Sequence, residues 1–227
     1  LQRVLERAHR ARLPDLVVVA TTVSPADQAV AAFCERTATP CFRGSEEDVL
    51  DRYYRATQQF EADVVVRLTA DCPLLDPDVM DRVITAFCSG DWDYASNTLE
   101  PTYPDGLDTE VFKRLALERA WREATLASER EHVTPYLWKH PDLFRLLGVR
   151  NDTDLSGLRW TVDKPEDLAL AREIYRYLAT MPEFGMPEVL DLFHRHPELK
   201  NINAGMERNE GYQTSLGMDT VSKGAAS

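Results

Sequence analysis

"VVVRLTADCPLLDP", residues 64–77, sets three β-branched apolar residues ahead of a short polar step and a turn rich in aspartate and proline. A run this short and this apolar, bounded by turn residues, predicts a strand buried on both faces, the kind found in parallel sheets covered by helices. The segment that follows, "DPDVMDRVITAF" (76–87), supplies such a helix. Asp76 can cap it, Pro77 suits its first position, and Val79, Val83, Ile84 and Phe87 recur at helical spacing. Asp71 is therefore delivered where the strand stops. In open α/β sheets that edge is where ligands bind, so this aspartate either punctuates a turn or faces a crevice.

The same alternation extends both ways. "DLVVVATT" (15–22) reads as a buried strand, and "SPADQAVAAFCERT" (24–37) as a helix with Ser24 at its N-cap and Pro25 at its first position. "PCFRG" (40–44) is a brief strand. "SEEDVLDRYYRATQQF" (45–60) is a helix with Ser45 and Asp48 at capping-box spacing. Further on, "DWDYASN" (91–97), "FRLLGV" (144–149) and "LRWTV" (158–162) read as strands, and "DTEVF" (108–112) as a short extended piece. Helices are expected over 114–124, over 128–140 with Pro135 ending or bending it, over 164–178 and over 186–199. Strands spaced by such helices imply right-handed crossovers and an α/β fold of three layers, α/β/α, around a mostly parallel sheet. Residues 1–180 form the α/β domain on this reading, and 181–227 a C-terminal helix and arm.

Bulk properties narrow the function. The chain of 227 residues carries 38 acidic and 26 basic side chains, a net charge of -12. That argues against a nucleic-acid partner or an anionic membrane surface, and it requires any polyanionic ligand to be met by a bound cation or by local arginines. No apolar run approaches the roughly 18 residues of a membrane span. The cysteines (Cys34, Cys41, Cys72, Cys88) are scattered without a C-x-x-C pair, which fits a reduced, cytoplasmic protein better than a disulfide framework or zinc site. "LQRVLERAHRA" (1–11) opens inside an amphipathic helix with no N-cap, as if a segment upstream were missing.

Two aspartates stand at strand ends, Asp71 and Asp163 of "LRWTVDKPEDL". Converging there, they suit Mg²⁺, which takes one or two carboxylates plus phosphates and water. Each also has a plain structural reading, Asp71 as a turn residue and Asp163 as a helix cap. "TYPDGLDTEVF" gathers Asp105, Asp108 and Glu110 around Gly106, either an acidic rim for sugar hydroxyls and a second cation or a solvated turn. "SEREHVTPY" places Glu129, Arg130, Glu131 and His132 in one helical turn, and the arginine and histidine there can hold an anion. Arg43 precedes Gly44 and a helix N-terminus, a position open to a nucleotide or to solvent. His194 and His196 are two apart and do not share a helix face. Asp91 and Asp93 form a D-x-D that opens a strand rather than closing one. No G-x-S-x-G, H-E-x-x-H or Walker A pattern occurs.

In order along the chain, "FRGSEEDVLDRYY", "VVRLTADCPLLDP", "YPDGLDTEVF", "SEREHVTPY", "LRWTVDKPEDL" and "ERNEGYQTSL" resemble the cytidylyltransferases typified by spore coat polysaccharide biosynthesis protein F, relatives of the acylneuraminate and KDO cytidylyltransferases. The resemblance spans nearly all of residues 1–216. It implies a nucleotide-diphospho-sugar-transferase-like fold and transfer of CMP from CTP to a sugar acid, with release of pyrophosphate. By the same resemblance Asp71 and Asp163 match Mg²⁺-binding aspartates. Asp105, Asp108, Glu110, Glu129, Arg130 and His132 then line the sugar side and Arg43 the nucleotide side; the base is not identifiable from the sequence, and Asp108, Glu110 or His132 could serve. A homodimer through the C-terminal arm is a further expectation. The departure is the family's opening strand and its glycine-, arginine- and lysine-bearing phosphate loop, which this sequence does not contain. The rival readings are a glycosyltransferase of similar fold and a catalytically silent interaction domain.

Overall fold

The computed structural model describes residues 1–206, 208 and 210–224, excepting the side chains of 218 and 220–224. The elements are α1 (Gln2–Ala8), β1 (Val19–Thr22), α2 (Gln28–Arg36), β2 (Cys41–Gly44), α3 (Val49–Gln59), β3 (Val64–Arg67), α4 (Pro77–Cys88) and β4 (Tyr94–Ser96). They continue with β5 (Glu110–Lys113), α5 (Arg114–Glu123), α6 (Ala127–His132), α7 (Pro135–Trp138), β6 (Leu146–Gly148), α8 (Pro165–Tyr177), α9 (Met186–Arg195) and α10 (Glu210–Gly224).

β3 and α4 form where the opening stretch places them, but β3 is not buried on both faces: it ends its ladder, pairs antiparallel with β5, and leaves Val64 exposed. Asp76 accepts hydrogen bonds from the amides of Asp78 (2.9 Å) and Val79 (3.0 Å), and Pro77 begins the helix. β1 and β2 pair in parallel. The other four strands lie in the order β3-β5-β4-β6, all in one direction except β5, which runs against both its neighbours. The alternation of side chains along these strands makes the layers. Val65, Tyr94, Phe112 and Leu146 face the helices α3, α5 and α7 on one side. Val66, Ala95, Val111 and Leu147 face α1 and α4 on the other. A third cluster joins Leu74, Tyr103 and Trp160 to α8 and α9, through Leu170, Ile174, Val189 and Phe193. The three-layer α/β/α fold with a mostly parallel sheet is thus as expected.

Local differences have local causes. Ser24 makes no side-chain cap; Asp27 instead turns back to accept from the hydroxyls of Thr21 and Thr22, both at 2.7 Å. Asp48 caps α3, accepting from Asp51 N at 2.9 Å, and Ser45 caps only the turn before it. Pro135 starts α7 rather than ending the helix before it, after Val133 takes a left-handed φ of 72°. Leu158–Val162 joins neither ladder. Among the described residues its one ladder-type pairing is an isolated parallel bridge between Asp105 and Arg159. Instead of extending the sheet, the segment ties two loops together, and that tie builds the site.

Candidate active site

Three backbone bonds gather the acidic residues. Val162 N donates to Asp71 O at 2.8 Å, Asp105 N to Leu158 O at 2.9 Å, and Trp160 N to Asp105 O at 2.6 Å. Between them sits Gly106 with φ of 105°, where a Cβ would lie 2.6 Å from Thr161 N and 2.7 Å from Trp160 C. Only glycine takes that backbone and lets the loop press so closely on the tie. Asp71 and Asp163 therefore emerge on either side of one joint, both reaching solvent, with Asp105 buried behind them. Burial pushes the Asp105 carboxyl up, and the charges of Asp163 and Asp71 add to the shift while Arg208 and Arg159 oppose it. Asp108, partly exposed, is pushed up to about 6, chiefly by burial, against the pull of Arg208.

Arg159 holds this cluster together. Its guanidinium donates to Asp105 Oδ2 (3.1 Å), Asp163 Oδ2 (2.5 Å) and Asp167 Oδ1 (3.0 Å) while only 10% of its side chain is exposed. Asp167 is the anchor beneath, since its carboxylate also accepts from the amides of Asp163 and Lys164 and from Asn203 Nδ2. The hydrogen bonds from Arg159, Asn203 and those two amides outweigh burial and hold the Asp167 carboxyl below its ordinary range. The backbone on which Asp163 stands is thereby fixed from below.

On the far side of the 108–110 segment lies a drier group. Glu110 is buried and accepts from Arg67, from Tyr94 OH (2.6 Å) and from Thr134 Oγ1 (2.5 Å), so both its oxygens are occupied. The His132 Nε2 is 3.0 Å from Ser215 Oγ, which also donates to Glu131 at 2.7 Å. Burial, with Arg67 nearby, pushes the His132 imidazole pKa down. Arg130 points away, to Asp48 (3.0 Å) and Trp121 O (2.7 Å), pinning α6 to α3. Glu129 is buried in the first turn of α6, 3.4 Å from Leu126 N. Arg43 spends its guanidinium on Thr22 O, Gln28 Oε1 and Ser24 O, at 2.9, 2.9 and 3.1 Å. It shapes the end of β1.

The structure thus brings Asp71, Asp105, Asp108 and Asp163 together and sets Glu110 and His132 beside them. Asp91 and Asp93 are clamped by Lys113 (2.6 and 3.0 Å) and Arg145 at the start of β4, as structural residues are. Arg159, Asp167 and Arg208 were not singled out from sequence. Arg159 and Asp167 flank Asp163 four residues to either side, which is a signal only once 158–162 is known to lie against Asp105. Among the described residues, no group of three or more His, Cys, Asp or Glu side chains is placed to hold a metal ion. Two hard, solvent-reaching carboxylates suit an ion that draws its remaining ligands from substrate and water.

An α/β/α fold that gathers Asp71, Asp105, Asp108 and Asp163 around one joint beyond its sheet is the frame of an α/β ligand-binding protein. The cytidylyltransferase family profile matches residues 1–195. The chain belongs to that family. It is 34% identical to the uncharacterized protein MJ1063 of Methanocaldococcus jannaschii, over 94% of this chain and 86% of that one. Spore coat polysaccharide biosynthesis protein SpsF of Bacillus subtilis is 31% identical, over 87% of this chain and 82% of its own. A 3-deoxy-manno-octulosonate cytidylyltransferase of Chlamydia trachomatis is 26% identical, over 77% and 68%. Among solved structures, a cytidylyltransferase from Leptospira borgpetersenii superposes with a TM-score of 0.86 at 28% identity, covering 92% of this chain and 87% of that one. The CTP complex of CMP:2-keto-3-deoxy-manno-octonic acid synthetase, at 18% identity and a TM-score of 0.56 over 78% and 87%, shares the fold.

Proposed function

We propose that this protein transfers CMP from CTP to a sugar acid, releasing pyrophosphate, in the building of a surface polysaccharide. The observation that carries the reading is the joint of Asp71 with the 158–163 tie, in a chain of the cytidylyltransferase family. The relatives supply the acceptor class, since one is a 3-deoxy-manno-octulosonate cytidylyltransferase and another serves spore coat polysaccharide biosynthesis. Asp71 and Asp163 are the residues that would hold Mg²⁺, which when bound supplies charge neutralisation on the triphosphate.

The chain's own groups do the rest. The reaction is an in-line attack of an acceptor hydroxyl on the α-phosphorus, in which the protein chiefly positions and stabilises charge. Of the three candidate bases, Glu110 has both oxygens engaged and His132 gives its Nε2 to Ser215. Asp108 is partly exposed and titrates near 6, close to where a general base works best. It takes the hydroxyl proton. Asp167 and Arg159 keep Asp163 aimed while substrates exchange.

The test is Asp71→Asn. Among the described residues its carboxylate accepts from Cys72 Sγ at 3.4 Å and from no other side chain, so stability should stay within about 0.5 kcal/mol. Transfer should fall by about 100-fold or more, as when a group that stabilises transition-state charge is lost. Undiminished transfer by this variant sinks the proposal.

A further inference from the structure

We infer that Arg208 reads the anionic group of the acceptor, an inference that rests on the acceptor being an acid as proposed above. The chain beyond α9 returns across the site. Asn203 Nδ2 donates to Arg159 O (3.0 Å) and Asp167 Oδ1 (2.8 Å), and the backbone turns at Gly205, φ 80°. Arg208 then donates to Asp108 (2.5 Å) and, more weakly, to Tyr103 O (3.3 Å). Beyond it, Glu210 pairs with Lys164 at 2.7 Å, and the Tyr212 ring meets His132 edge-on at 5.2 Å. Arg208 is therefore held between the Asp163 side of the site and the His132 side.

An acid acceptor must enter among Asp71, Asp105, Asp108 and Asp163, and like charges reject it unless a cation receives it. The cations nearby are unequal. Arg159 is shared among three carboxylates, Lys164 is taken by Glu210, and Arg67 is turned to the buried Glu110. Arg208 has one carboxylate at hydrogen-bond distance. Its Nε is buried with no hydrogen-bond partner, and the nearest acidic oxygen, Asp105 Oδ1, is 3.9 Å away. A guanidinium edge formed by Nε and one Nη is the fork that matches a carboxylate with two parallel bonds. A ligand carboxylate on that edge satisfies the orphaned Nε and replaces Asp108 on Nη2. Asp108 is then released beside the acceptor, whereas a neutral sugar leaves it tied to Arg208. The tail motif "ERNEGYQTSL" thus acquires a role in choosing the substrate.

The experiment uses the complete natural polypeptide, CTP, two acid probes (3-deoxy-manno-octulosonate and N-acetylneuraminate) and the methyl ester of whichever is transferred. Arg208→Gln should raise KM for the acid by about 30-fold, or ~2 kcal/mol, with KM for CTP within twofold. Arg208→Lys, which keeps the charge and loses the fork, should fall between. With the ester, which leaves Asp108 tied to Arg208 in the wild type, Arg208→Gln should show no such rise in KM and should transfer at least as fast as wild type, a split between acid and ester that a merely structural role for Arg208 would not produce. Equal losses on acid and ester overturn the inference and leave the proposed function standing. Failure of the wild type to transfer to either acid, with CTP binding intact, removes the acceptor class and this inference together.

Discussion

Asp167→Asn tests whether the site is held from below. The Asp167 side chain is fully buried and accepts from Arg159 Nε (3.0 Å) and Nη2 (3.1 Å), from the amides of Asp163 and Lys164 (both 3.1 Å), and from Asn203 Nδ2 (2.8 Å). Each oxygen meets at least two donors, so an amide NH2 on either side faces donors it cannot satisfy. Removing one partner of a buried ion pair costs roughly 3–5 kcal/mol. Arg159 keeps Asp105 and Asp163, which places the expected loss at the lower end, about 3 kcal/mol. For a chain of this size that is a fall in Tm of roughly 6–12 °C, read by thermal melting at pH 7. The pH dependence gives a second reading. The native Asp167 carboxyl lies below its ordinary value of 3.8, so its stabilisation is present above that value and is lost as pH falls through the native one. The gap between wild type and variant should therefore narrow in acid. A variant melting within about 2 °C of wild type at pH 7, or an equal gap at neutral and acid pH, would refute the anchoring role.

Two further substitutions probe the same joint. Asp108 titrates near 6, above its ordinary 3.8, so the folded chain binds a proton there that the unfolded chain releases, and stability falls as pH rises across that window. Asp108→Asn removes this term; its melting temperature should gain on wild type between pH 4 and 6.5, in steps followed by calorimetry, while transfer collapses. A constant difference across that range contradicts the assignment. Gly106→Ala should cost about 3 kcal/mol or more, because the added Cβ meets the backbone of Trp160 and Thr161 and cannot be relieved by a side-chain turn. Urea unfolding measures it, and a loss under about 1 kcal/mol would show that the 104–107 loop can shift freely.

Sequence legibility tracks the range of the interactions. β3 and α4 are readable because an apolar run, a cap and a proline are neighbours along the chain. The same rule singles out Asp71 beyond β3, whereas the segment before Asp163, read as a strand, joins no ladder. The direction of β5 is not readable from "DTEVF", and neither is the fate of "LRWTV". An extended apolar segment looks alike whether it joins a ladder or ties two loops, and its partners, Asp71 and Asp105, are far away in sequence. The arginines hide for the same reason. Arg159 meets Asp105 across 54 residues and Arg208 meets Asp108 across 100. Among the described residues, α10 is fastened by polar staples, Ser128 to Asp219 and Ser215 to Glu131, beside the Tyr212 ring on His132 and Trp138. Periodicity is blind to such staples.

On the function proposed, the charge balance of the site bears on how an acidic chain would meet polyanionic substrates. Arg159 pairs with Asp105, Asp163 and Asp167, and Arg208 with Asp108 and more distantly Asp105, so five carboxylates, Asp71 included, share the two arginines. The surplus is negative, which attracts a divalent cation and repels a bare triphosphate. On the function proposed, the cation therefore does what a lysine-rich phosphate cradle does in basic proteins, and the two arginines have different duties. Arg159 is buried among three carboxylates and keeps them from driving one another apart, so its loss would open the joint rather than empty a subsite. Arg208, on a returning segment with one strong partner, can change partners when an acid arrives. Their different burial, 10% against 16% of the side chain exposed, is a small contrast. The decisive difference is in the number of carboxylates each already holds.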